Sequence, residues 1–127
     1  MSSGIVLVAA GSALGGMARF AVASLIGRRF GEAFPYGTVI VNITGCILIG
    51  LFAALTQPTG PLPGNLSTRA FVIIGICGGY TTFSSFSLQT LALAHAGQWR
   101  GAAANVVAST GLCLVGVWLG FLLAPLF

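Results

Sequence analysis

The chain has 127 residues, enough for one domain, and a net charge of +4 from five arginines and one glutamate. Hydrophobic residues make up 57% and charged residues 5%, against about 25% charged in a soluble domain. So few charges cannot cover a water-facing surface, so a soluble globular protein is excluded and an integral membrane protein is expected. The arginines are scattered rather than striped, which leaves no footprint for a nucleic acid.

Crossing a bilayer takes roughly 20 mostly apolar residues, and four segments are long enough: about 4–27, 36–56, 70–94 and 102–124. The predicted fold is therefore all-α, a single four-helix transmembrane domain over residues 1–127. The start, Met1-Ser2-Ser3-Gly4, lacks the positive n-region of a signal peptide, and the apolar run behind it is long enough to span. Arg19 lies about two turns before the end of the first crossing. A charge at that depth is costly and is a functional candidate. It either snorkels to the interface and packs a helix end, or raises the local anion concentration at a pore mouth. The connection that follows holds the only acid, Glu32.

Asn42 falls within the second crossing. Its amide offers two donors and an acceptor, which either bond a neighbouring helix or replace water around a small anion. The next connection, 57–68, is rich in Pro, Gly and Ser, as a turn region is.

The third crossing carries Cys77-Gly78-Gly79-Tyr80-Thr81-Thr82-Phe83-Ser84-Ser85-Phe86-Ser87. Lipid tolerates no unpaired backbone polar groups, so a non-helical break at this depth must be buried in protein or line a wet cavity. Gly78, Gly79, Thr81 and Thr82 are expected to make such a break. Its freed carbonyls suit a hard cation such as sodium, and the half-helix beyond presents its positive end. Phe83 and Phe86, three apart, share a helix face. They serve packing, or their positive ring edges face an anion among the hydroxyls of Ser84, Ser85 and Ser87. In the fourth crossing Asn105, Ser109 and Cys113 recur every four residues as one mildly polar stripe. The stripe is either interhelical glue or a wall that hands an ion along. His95 suits an interfacial helix end, and Trp99 and Arg100 suit the membrane interface. Cys46, Cys77 and Cys113 fit no metal spacing and are expected as reduced packing residues.

Four crossings place both termini on one side, with Arg69 there and Arg28, Arg29 and Arg100 opposite. Three arginines against one specify orientation weakly, so insertion in both senses is physically plausible. The pairs Gly11/Gly15, Gly75/Gly79 and Gly116/Gly120 allow close helix approach, and a two-fold homodimer is inferred. No Asp or Glu lies in a crossing. An enzyme with a Ser-His-Asp set therefore lacks its carboxylate. The alternative of a small dual-topology, proton-coupled multidrug exporter lacks its membrane-embedded acid. A non-transporting assembly subunit is a third alternative.

Gly15-Gly16-Met17-Ala18-Arg19-Phe20, Gly37-Thr38-Val39-Ile40-Val41-Asn42 and Gly78-Gly79-Tyr80-Thr81-Thr82-Phe83-Ser84-Ser85-Phe86 together resemble the Fluc family of bacterial fluoride channels, in order, spacing and total length. The resemblance implies an antiparallel, dual-topology homodimer in the cell inner membrane, whose two pores export toxic fluoride passively around a structural, untransported sodium ion. By match to the motifs, the carbonyls of Gly78 and Thr81 hold the sodium. Asn42, Phe83, Ser84, Ser85 and Phe86 line the fluoride path, with Asn105 and Ser109 matched from the fourth helix. Cys113 stands where a hydroxyl is expected, and Arg19 matches the family's first-helix arginine in a structural or electrostatic part.

Overall fold

The computed structural model describes all of residues 1–127, and every regular element in it is helical. Helix α1 (Ser2–Phe30) begins and ends outside the expected 4–27. It stops at Gly31, whose φ of +80° suits a residue without Cβ and whose N–H donates to the Gly27 carbonyl at 2.9 Å. Helix α2 (Tyr36–Leu55) starts directly after Pro35. Its C-terminus is closed by Thr56, whose hydroxyl donates to the Phe52 carbonyl at 2.7 Å and accepts from Arg69 Nη1 at 3.0 Å. Arg69 thus supplies positive charge to a helix end that carries partial negative charge.

The third span covers Leu66–His95, starting earlier than the expected 70 because Asn65 Oδ1 caps it, accepting from Thr68 N–H at 2.8 Å. It is built in pieces: α3 (Leu66–Arg69), a π-helical stretch (Ala70–Cys77), α4 (Gly78–Tyr80), two extended residues and α5 (Phe83–His95). The π-helical stretch is long for a form that mostly occurs as single turns, and no propensity in the sequence announced it. Helix α6 (Trp99–Leu123) is followed by a 3₁₀ turn, Ala124–Leu126, containing Pro125. Each of the four spans is long and apolar enough to cross a membrane.

Two glycine seams hold the bundle. Gly11 and Gly15 on α1 are buried against the third span: a Cβ at Gly11 would meet the backbone of Phe71 and Gly75, and one at Gly15 would meet Ile76 and Tyr80. From the other side, a Cβ at Gly79 would sit 2.6 Å from the Ser12 carbonyl oxygen. On the second seam, α2 lies on α6, with Gly50 against Val117 and Gly120 against Ile47. Backbone contact at this range gains dispersion, which lipid cannot match as readily as it matches apolar side chains. All three glycine pairs singled out in the sequence therefore work between helices of one chain, so these seams do not by themselves require a second copy. Large apolar side chains such as Phe20, Leu25, Val107 and Trp118 stay exposed, which suits a lipid-facing surface.

Candidate functional site

The break lies at Thr81 and Thr82 alone, which have extended backbones with ψ of 159° and 109°. Gly78 and Gly79, expected to share in it, are helical, with Gly78 at φ −64° and ψ −39°. The physical reason is proximity: Gly79 is small because α1 passes over it, not because the chain must turn there.

The break is held by named groups. Thr82 N–H, which in a continuous helix would bond the Gly78 carbonyl, donates instead to Asn42 Oδ1 at 2.7 Å. Asn42 Nδ2 returns a bond to the Thr82 carbonyl at 3.0 Å. One amide therefore satisfies both backbone groups of Thr82, a residue only 7% exposed. The Thr82 hydroxyl caps α5, accepting from Ser85 N–H at 3.2 Å, and lies 3.0 Å from Ser85 Oγ and 3.3 Å from Ser84 Oγ. Arg19, half-buried on α1, brings Nη1 to 3.5 Å from the Thr81 carbonyl. Tyr80 Oη and Thr44 Oγ1 are 2.9 Å apart, which ties α4 to α2 just before the break. Thr81 Oγ1 turns back to the Cys77 carbonyl at 3.0 Å.

Phe83 and Phe86 share a face of α5, as their spacing requires, with ring centroids 5.4 Å apart and planes at 48°. Phe83 is 79% exposed and Phe86 half-buried; Ser84 is exposed and Ser85 half-buried. The fourth-span residues Asn105 and Ser109 are buried, and their bonds form a chain toward the Phe86 backbone. Ser109 Oγ donates to Asn105 Oδ1 at 3.1 Å, Asn105 Nδ2 to Thr90 Oγ1 at 2.8 Å, and Thr90 Oγ1 to the Phe86 carbonyl at 2.7 Å. The structure thus brings Arg19, Asn42, Thr81, Thr82, Ser84 and Ser85 into one cluster. It brings Asn105 and Ser109 into a second one, joined to the first through Phe86. Cys113 belongs to neither and faces Cys46 across the α2–α6 contact; all three thiols are free.

Two cavities flank this cluster. One, of about 530 Å³, is lined by Arg19, Phe20, Val41, Thr82 and Ser85 among others. The other, of about 550 Å³, is bordered by Glu32, Tyr36, Gly37 and Gln98 near the chain's loop end. Ala23, Thr38 and Gln89 line both, so the two adjoin. Gln89 Oε1 is the one buried side-chain polar atom without a hydrogen-bond partner. Sequence reading missed Gln89 and Thr90. Both were reachable by extending the helical spacing four residues past Ser85 and Phe86.

No group of three or more His, Cys, Asp or Glu side chains converges as a metal site. The oxygens that could meet a hard cation are backbone ones: the Gly78 carbonyl, released by Thr82, and the Thr81 carbonyl. Gly78 is exposed, with little over its Cα, and a Cβ there would find only the Ile73 carbonyl oxygen, at 3.8 Å. The donor type fits sodium, although two oxygens from one chain are fewer than such a cation takes.

Four membrane-length helices, one of them broken where an arginine, an amide and several hydroxyls converge beside adjoining cavities, define a multi-pass integral membrane protein. The family described as "CrcB-like protein, Camphor Resistance (CrcB)" matches residues 6–121. A protein of Rhodospirillum rubrum named "Fluoride-specific ion channel FluC" is 56% identical over 115 residues, covering 89% of this chain and 88% of that protein. Proteins of the same name from Opitutus terrae and Paramagnetospirillum magneticum are 51% and 49% identical, over 92% and 94% of this chain and 89% and 94% of their own lengths. The chain belongs to this CrcB-like family, the Fluc family of the sequence resemblance.

Proposed function

We propose that the chain is a fluoride channel that lets the ion leave the cell passively across the inner membrane. The observation that carries the reading is the clamped break. Hydroxyls, a ring pair and a spare amide N–H of Asn42 stand at mid-span with no carboxylate among them. Neutral donors replace part of an anion's water without holding it, which is what conduction needs. Arg19 draws anions to the inner cavity. Asn42, Ser84, Ser85 and the edges of Phe83 and Phe86 then form the path, with Asn105 and Ser109 holding the Phe86 end in place. A proton-coupled exporter is less well supported, because the only acid, Glu32, lies in the turn between α1 and α2.

The functional unit is an antiparallel homodimer of dual-topology subunits. In its support, one subunit leaves Phe83, Ser84, Ser87 and Gly78 uncovered at the break, where lipid is a poor partner for polar groups. Across a two-fold axis the carbonyls of Gly78 and Thr81 double in number and suit one structural sodium ion. When bound, that ion would neutralise the carbonyl dipoles and join the two breaks.

Fluoride efflux from liposomes holding the purified protein, followed with a fluoride electrode, tests the reading. Rapid efflux with chloride nearly excluded is expected. Phe83→Ile or Phe86→Ile should lower it about tenfold, as a ring edge worth about 1.4 kcal/mol implies. Full flux in both variants refutes the role of the rings, and no flux from the parent protein refutes the channel.

A further inference from the structure

We propose that Glu32 is an electrostatic sieve that keeps multivalent anions out of the passage while admitting a small monovalent one. The proposal rests on the anion-channel reading above. The first ground is volume. The cavity that Glu32 borders measures about 550 Å³ and adjoins the 530 Å³ cavity at Arg19. A water occupies about 30 Å³ in the liquid, so each space has room for a hydrated sulfate or phosphate as well as for fluoride. Size alone rejects nothing at this level of the molecule.

The second ground is what lies inside. Arg19, Thr82 and Ser85 line the inner cavity, a cation with hydroxyls around it. Coulomb attraction grows with the charge of the guest, so this cluster draws a dianion more strongly than fluoride. An oxyanion lodged there would obstruct the narrower path beyond.

The third ground is the placement of the acid. Glu32 is the chain's only carboxylate, is exposed, and turns back over the end of α1, where a Cβ on Gly27 would lie 3.4 Å from its Oε1. A helix C-terminus carries partial negative charge, so an anion there has the wrong sign for the fold. The other charged or titratable groups at this end, Arg28, Arg29, His95 and Arg100, are exposed and do not line the cavity. Glu32 is the one charged side chain among the residues that border the cavity.

One charge about 6 Å from an ion in water lowers the local concentration of a monovalent anion about threefold at low ionic strength. The energy doubles for a dianion, so the factor becomes about ninefold. At about 1 M salt the screening length falls to about 3 Å, and both factors approach one.

The experiment is fluoride efflux from liposomes at about 10 mM ionic strength, with sulfate titrated on both faces, for the parent protein, Glu32→Asp, Glu32→Gln and Glu32→Lys. Half-block by sulfate should occur at roughly tenfold lower concentration in Glu32→Gln than in the parent, and lower again in Glu32→Lys. Glu32→Asp should track the parent. Without sulfate and at subsaturating fluoride, Glu32→Gln should conduct about threefold faster. At 1 M sodium chloride the variants should converge. Equal sulfate sensitivity in all four proteins, or a difference that persists at 1 M salt, overturns the sieve. A parent protein that passes no fluoride before sulfate is added overturns the channel reading instead, so the two failures are told apart.

Discussion

Replacing Asn42 with leucine removes the amide at nearly constant volume and leaves both backbone groups of Thr82 without partners. The structure sets the scale. Two hydrogen bonds, at 2.7 and 3.0 Å, are lost from a residue 7% exposed. Each buried backbone group left unmade costs about 1–3 kcal/mol, which bounds the effect at about 2–6 kcal/mol. Hydrogen bonds within membranes average only about 0.6 kcal/mol, because the unfolded state in lipid also finds partners, and the adjoining cavity lets water reach Thr82. The expected loss is therefore about 2 kcal/mol, well below the upper bound. Thr44→Val is the matched control on the same helix. It removes the contact with Tyr80 Oη at 2.9 Å, but it leaves no buried backbone group exposed, since the Thr44 hydroxyl also bonds carbonyls already used by α2. It should cost under about 1 kcal/mol. Reversible unfolding in mixed micelles measures both, and hydrogen exchange at the Thr82 amide reports the site. Asn42→Leu should speed that exchange at least tenfold, since 1.4 kcal/mol is tenfold in an equilibrium constant. A leucine variant as stable as the parent, with Thr82 still protected, would refute the clamp.

Gly50→Ala and Gly111→Ala form a second matched pair on packed helices. A Cβ at Gly50 collides with the Val117 carbonyl, whereas one at Gly111 meets nothing within 4 Å. The first should destabilise by about 1–3 kcal/mol or more, and the second should stabilise slightly through helix propensity; thermal unfolding in detergent decides. Asn105→Leu should cost about 1–3 kcal/mol, because it leaves the buried Ser109 hydroxyl without its acceptor and takes from the Thr90 hydroxyl the donor it accepts from. Because Thr90 bonds the Phe86 carbonyl, fluoride flux should fall even in the fraction that remains folded. Flux per folded channel equal to the parent's would place Asn105 outside the path's support.

The helices were legible because apolar length is decisive in a chain with 5% charged residues. Their ends were not, because caps such as Asn65 and Thr56 act through bonds that composition hides. The break was legible in place and kind, and it is shorter than the four residues expected to make it. Of the four, Gly78 and Gly79 are helical. The interruption belongs to the two threonines, because Asn42, about 40 positions earlier, offers Thr82 a better partner than its own helix does. Long-range competition of that kind leaves no local trace. Asn42 itself was read as either glue or ion ligand, and its geometry shows the first directly. One N–H remains for the second. Asn105 and Ser109 were legible as a stripe, but their direction was not: spacing shows a shared face and is silent on which neighbour it meets.

The polar groups around the break sort into two kinds, and the division bears on assembly. Those facing inward are satisfied by the chain itself: Thr82 by Asn42, Tyr80 by Thr44, and Thr90 by Asn105. Those left outward are the Gly78 carbonyl, released by Thr82, the exposed Phe83 face, and Ser84, whose hydroxyl meets only that of Thr82 at 3.3 Å. In lipid the first set keeps one subunit folded, whereas the second set stays costly until something covers it. A bundle stabilised by glycine seams within each chain can therefore fold by itself, and the pairing proposed above would contribute at the break rather than along the helices. Sequence changes in the seams should consequently act on folding, and changes at Gly78, Phe83 and Ser84 on pairing and conduction. In that proposal one short motif would carry both, because the interruption that frees the Gly78 carbonyl lies directly before the exposed Phe83 ring.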